Sequence, residues 1–222
     1  MPHSIRLADR LGAVTGVAFV VLVFLGVSSV DPQRGVSDQE LQTWWADGGH
    51  RDAFVFSMYT LLAACPLFLI FASRLRARLQ TADSSGWEGT VFASGIVATV
   101  ALGFCAVTRG VIASSMRFDD EPLPTVDTLR FATGLAYASW DVAILFVGVM
   151  VAIASILSLA TQALPRWLGW LGLPIAVGCL ALVAARMAPF AIPLGHVWVL
   201  ATCLHLWRSP APAGRAAWMP VV

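Results

Sequence analysis

The 222-residue chain is 58% hydrophobic and 12% charged, with a net charge of +1, whereas soluble domains run about a quarter charged. Its mean hydropathy is +0.77. This balance excludes an ordinary soluble domain, and the near-neutral charge excludes a nucleic-acid partner, which needs a basic face.

Six apolar stretches occupy most of the chain, at about 11–30, 53–73, 91–113, 135–160, 168–188 and 190–207. A helix needs about 20 apolar residues to cross the hydrocarbon core of a bilayer. The pattern therefore predicts an all-α fold, a polytopic bundle of six transmembrane helices in a single transmembrane domain over residues 1–222. The longest polar connection is roughly twenty residues, too short for a separate folded domain.

The first stretch follows Arg6 and Arg10. Its apolar run exceeds the 7–15 residues of a signal-peptide core, and no Ala-x-Ala site follows. It is expected to remain as an uncleaved first helix. In the loop after it, Ser37-Asp38-Gln39-Glu40 has the spacing of a capping box. Leu41, Trp44 and Trp45 follow at helical spacing, which predicts a short helix lying on the outer surface as an interfacial anchor, or as a lid. Asp47-Gly48-Gly49 ends it, and His50-Arg51-Asp52 leads into the second span.

The loop after the third span carries Asp119-Asp120-Glu121, then Pro122 and Pro124. A solvated acidic loop is the commoner meaning of such a run, so no metal site is expected. Thr125 is positioned to cap a helix with Asp127 in its first turn, entering the membrane at a bend near Gly134. The last two stretches are divided by a Pro-containing reversal at residues 187–193.

Arginine placement sets the orientation, because cytoplasmic loops collect basic residues. With the N-terminus inside, Arg6, Arg10, Arg74, Arg76, Arg78, Arg166, Arg208 and Arg215 are cytoplasmic, against Arg34, Arg51, Arg117 and Arg130 outside. Both termini are then cytoplasmic, in a bacterial plasma membrane. In this frame Trp87, Trp167, Trp170 and Trp207 fall at the inner boundary and Trp44, Trp45 and Trp140 near the outer one. Indole rings favour the headgroup level, so all seven read as anchors in the lipid bilayer.

Charge inside a span is costly and marks a candidate site. Arg109 lies near the outer end of the third span, Asp141 inside the outer end of the fourth, and Arg186 near the outer end of the fifth. His196 lies in the outer half of the sixth. All four share one depth although they come from four helices. A carboxylate in low dielectric must neutralise or find a cation, and Arg109, on the neighbouring span, is the natural partner of Asp141. The four residues are either a buried ion-pair cluster fixing helix register, or the lining of an outward pocket for a polar ligand or a proton relay.

Cys65, Cys105, Cys179 and Cys203 lie inside apolar stretches with no Cys-x-x-Cys spacing, and read as packing residues rather than metal ligands. His196 and His205 are nine apart on one span and have no partner histidine at either depth, so no haem and no other cofactor is expected. No nucleophile-elbow, zincin or phosphate-loop motif is present.

Leu164-Pro165-Arg166-Trp167-Leu168-Gly169-Trp170-Leu171-Gly172 joins the fourth and fifth spans. This turn, with the Gly- and Pro-containing helices after it, resembles the linker of small multi-pass bacterial membrane proteins, often actinobacterial, over about residues 130–208. The resemblance implies an integral membrane protein and transfers no catalytic residue. The expected role is non-enzymatic, structural, regulatory or partner-binding, the partner being another membrane protein or a second copy of the chain. The alternatives are a small-solute transporter or ligand sensor using the outer cluster, and an intramembrane enzyme with Asp141 and His196 as acid–base groups.

Overall fold

The computed structural model describes residues 2–28, 36–80, 86–119 and 121–208, and for residues 2–6 the backbone alone. Within them the protein is all-α, with no strand. The helices are α1 (Pro2–Val27), α2 (Asp38–Ala46), α3 (Gly48–Gln80), α4 (Trp87–Phe118), α5 (Val126–Thr161), α6 (Arg166–Ala184) and α7 (Ile192–Arg208), with a 3-10 turn at Ala188–Ala191 before α7. Six of them are long and apolar enough to cross a membrane, a multi-pass architecture. α3 has 33 residues and α5 has 36, about 50 and 54 Å at 1.5 Å per residue. Both exceed the roughly 30 Å of a hydrocarbon core, so their ends stand clear of it.

The six long helices alternate in direction and close into a ring. Each packs on its neighbour in the chain, from α1 through α3, α4, α5 and α6 to α7, and α7 closes on α1. The bundle has an arginine end, where α1 begins and α3 finishes, and an acidic end that carries α2. Small residues permit the close seams. A Cβ on Gly12 would lie 2.8 Å from Arg74, and one on Gly16 would strike Cys203 and Phe71. These two glycines, four apart on α1, let its backbone approach α3 and α7 together. Their Gly-x-x-x-Gly spacing is plain in the sequence and belongs with the packing signals of the first span.

Several hydroxyls inside the bundle donate to the carbonyl one turn back, which satisfies them without water. Thr60, Thr99, Ser139 and Ser158 all do this. Ser57, fully buried, instead donates across the α1–α3 seam to the Gly26 carbonyl at 2.6 Å. The main core runs the length of the ring, and a smaller cluster of Leu41, Trp45, Phe54, Ile112, Ala113 and Leu129 caps it at the acidic end.

Loop chemistry follows the sequence signals closely. Ser37 and Glu40 form both halves of the capping box, the Ser37 hydroxyl accepting from the Glu40 N–H and the Glu40 carboxylate accepting from the Ser37 N–H at 2.8 Å. Thr125 caps α5. α5 then runs unbroken through Gly134, where the sequence suggested a bend. α3 begins at Gly48, so the glycines expected to end α2 also start the next helix. The expected end of the first span at residue 30 lies outside the described residues.

Candidate functional site at the acidic end

A cavity of about 270 Å³ opens at the acidic end of the ring. Six helices and the 3-10 turn contribute to its wall, and periodicity explains which residues they offer. α4 presents Cys105, Thr108 and Arg109, spaced i, i+3, i+4 along one face. α5 presents Thr133, Tyr137 and Trp140 at the same kind of spacing, with Ala132 and Ala136 beside them. Phe54 of α3, Val27 of α1, Pro189 and Ile192 complete the side walls, and Trp45 of α2 covers the cavity.

The cover is held by packing on protein. Leu41 is 3% and Trp45 2% exposed, both buried in the cluster with Phe54, Ile112 and Leu129. Trp44 is half-buried and stacks on His50 at 4.3 Å between centroids, and the His50 Nδ1 lies 3.0 Å from the Trp44 carbonyl. Phe54 meets Trp44 and Trp45 edge-on at 5.1 and 5.2 Å. Electrostatics hold the rim. Arg130 of α5 donates to the Asp38 carboxylate at 3.1 Å and to the Val36 carbonyl at 2.9 Å, and Arg117 pairs with Asp52 at 2.9 Å. The Glu40 carboxyl is held below its ordinary range by the Ser37 N–H and hydroxyl. Asp47, accepting from the His50 and Gly49 N–H groups, is lowered in the same way.

The polar side chains in the cavity wall include Trp45, Thr108, Arg109, Thr133 and Tyr137. The Arg109 guanidinium lies over the Phe54 ring, 5.0 Å from its centroid, a cation–π geometry. The Trp45 indole N–H is buried and has no acceptor among the described residues. Thr108 spends its own proton on the Phe104 and Cys105 carbonyls. Among the described residues the lining includes no carboxylate and no histidine.

A second, smaller crevice of about 50 Å³ adjoins it deeper in the ring. Trp140 and Ile192 belong to both walls. Its lining comes from α1, α3, α4, α5 and α7 and, His196 and Trp140 aside, consists of aliphatic and phenyl side chains with Gly195.

Of the four residues singled out in the sequence, two line these spaces. Arg109 stands in the wall of the larger cavity and His196 in that of the crevice, edge-on to Phe19 at 6.3 Å. Asp141 is half-buried directly after Trp140, one turn beyond Tyr137, and lines neither space. Arg186 is exposed in the reversal after α6, with a φ of 58°, and also lines neither. Reversing the chain puts Arg186 in a left-handed conformation and carries its side chain out of the bundle.

Sequence reasoning missed two groups. Trp45 and Trp140 are 2% and 6% exposed, so their rings serve the cavity, while the headgroup level is their usual place. The usable signal was the stripe of hydroxyl and aromatic residues at 133, 137 and 140 facing the stripe at 105, 108 and 109. The other group lies at the arginine end. Asp9 of α1 is buried between Arg74 and Arg78 of α3, at 3.4 and 3.2 Å. Arg74 and Arg78 are four apart and so share one helix face. Arg10 beside it lies over the Trp207 ring at 5.4 Å. Asp9 was legible as an acid set among basic residues just before the first span. The four cysteines are free thiols, three buried and Cys65 half-buried, and Cys105 lines the cavity.

A comparison of the chain with protein-family models, curated proteins and solved structures finds no match.

Proposed function

We propose that this chain is a bacterial plasma-membrane protein that binds a small ligand in the cavity at its acidic end, as a sensor or carrier. In this reading the arginine end faces the cytoplasm with both termini, and the acidic end faces outward. The single observation that carries the proposal is the cavity beneath α2, where Arg109, the Trp45 N–H, Thr108, Thr133 and Tyr137 meet among aromatic rings. Helix packing alone would favour filling such a space, because empty volume costs stability. Acid–base catalysis fits less well, since Asp141 lines neither space and His196 sits in the apolar crevice.

Solvent access tests the proposal. Thr133→Cys places a thiol in the wall, and a charged, membrane-impermeant thiol reagent applied to the protein in lipid nanodiscs reaches both faces. Peptide mass analysis locates the label. The expected result is labelling at position 133 that exceeds labelling of the buried native thiol Cys179. No reaction at position 133, and none with Ala132→Cys as a second reporter, would mean a closed, dry interior and would sink the ligand-binding reading.

A further inference from the structure

We infer that the arginine end carries a docking site for an anionic phospholipid, one whose headgroup bears a phosphate and no amine, where the ends of α1, α6 and α7 lie together. The inference is independent of the cavity at the other end.

Charge at the arginine end is sorted by burial. Among the described residues its two carboxylates are both inside, Asp9 at 3% and Glu88 at 8% exposed. Arg74 and Arg78 are taken up by Asp9. Arg10, Arg166 and Arg208 are exposed, and no ion pair joins them to a carboxylate among the described residues. The exposed charge that the described residues show at this end is therefore all cationic.

Position narrows the partner. Arg10 adjoins the apolar run that begins at Leu11, Arg166 is the first residue of α6 and Arg208 the last of α7. α7 packs on both α6 and α1, so the three arginines come from neighbouring helices at the rim of the apolar bundle. The Arg10 guanidinium lies over the Trp207 ring, 5.4 Å from its centroid, which sets it level with Arg208 across the α1–α7 seam. A cation–π contact restrains the guanidinium and leaves its charge unneutralised. Guanidinium groups fork onto the paired oxygens of a phosphodiester. Trp167 and Trp207 are each 52% exposed beside these arginines, and indoles at this level meet the upper acyl chains. Free phosphate would use the arginines and leave the rings bare; a phospholipid uses both. A zwitterionic headgroup would bring its own ammonium against three cations. An anionic headgroup ending in a neutral alcohol brings phosphate alone. A phosphate held by Arg10 and Arg208 would tie α1 to α7.

The test uses the whole chain in phosphatidylcholine nanodiscs containing a trace of phosphatidylglycerol with a photoreactive headgroup. Peptide mass analysis locates the crosslinks, and unlabelled lipids compete for them. Crosslinks are expected at the arginine end of α1 and α7. Unlabelled phosphatidylglycerol should displace them at a mole fraction about fivefold lower than phosphatidylethanolamine for each arginine engaged. Arg10→Gln and Arg208→Gln should each remove about fivefold of that preference, and the double variant should abolish it. Trp207→Leu keeps the charges, loses the ring, and should weaken the preference roughly threefold. Arg186→Gln, exposed at the acidic end, should leave it unchanged. Glycerol phosphate in the buffer should not compete.

Equal displacement by phosphatidylethanolamine, crosslinks absent from the arginine end of α1 and α7, or a preference that survives the double variant would overturn the inference. Displacement by glycerol phosphate would overturn it in favour of a free phosphate. Should the double variant fail to fold, the comparison of the two lipids on the unaltered chain decides by itself.

Discussion

The two ends of the bundle use the same residue types in opposite ways. At the arginine end the charges turn inward and the tryptophans outward. Asp9 is buried between two arginines, while Trp87, Trp167, Trp170 and Trp207 are each more than half exposed. At the acidic end Trp45 and Trp140 are buried, and the ion pairs Arg117–Asp52 and Arg130–Asp38 sit on the surface. A buried ion pair locks helices at fixed spacing, whereas buried rings with an overlying short helix can enclose a space. The first end is built as a clamp and the second as a chamber.

Four changes sharpen that contrast. The largest effect is expected from Trp45→Ala. Truncating a fully buried tryptophan costs about 3–5 kcal/mol, here spent on undocking α2. Hydrogen exchange should show α2 amides losing protection while α3 and α4 keep theirs; unchanged α2 protection would mean that the cover does not depend on this ring. Next is Asp9→Asn. Removing one partner of a buried pair costs about 3–5 kcal/mol, and the partial exposure of Arg74 brings the expectation to about 2–3 kcal/mol. The protein in nanodiscs should melt several degrees lower, with the reactivity of the T133C thiol unchanged; a change in that reactivity would show the two ends to be coupled. Arg130→Ala removes an exposed rim pair worth about 0.5 kcal/mol, so the melting temperature should hardly move while α2 exchanges modestly faster. The smallest effect is acid. Glu40 titrates below its ordinary 4.5, so the support it gives α2 is complete above that value and is lost as pH falls through its lowered pKa. Protection of the Ser37 and Glu40 amides should be flat from neutral pH and fall only in acid, a dependence that Glu40→Gln would abolish.

Much of the architecture was legible. Six spans, the capping box at Ser37 and Glu40, and the Thr125 cap all follow from local pattern, because hydropathy and cap chemistry act over a few residues. The site was legible only in part. The spacing of Arg109, Asp141, Arg186 and His196 sets a common depth, but depth does not say which way a side chain turns around its helix axis, and Arg186 left the bundle at a reversal. Trp45 and Trp140 show the same limit. An indole near a boundary satisfies its amphipathic character against headgroups or against a wet internal cavity, and only the packing of α2 on Phe54 and Leu129 decides between them. Asp9 escaped because its partners lie some 65 positions away on α3.

The closure of α7 on α1 has a consequence for biogenesis. The helices that meet at this seam are the first and last of the six described spans, so α1 must wait with the α7 side of Gly16 uncovered until the whole intervening chain has been made. Ile192, shared by both cavity walls, is delivered at the same moment. The seam is therefore the last to form, and a chain halted before α7 would leave the translocon with an open ring and an unfinished chamber.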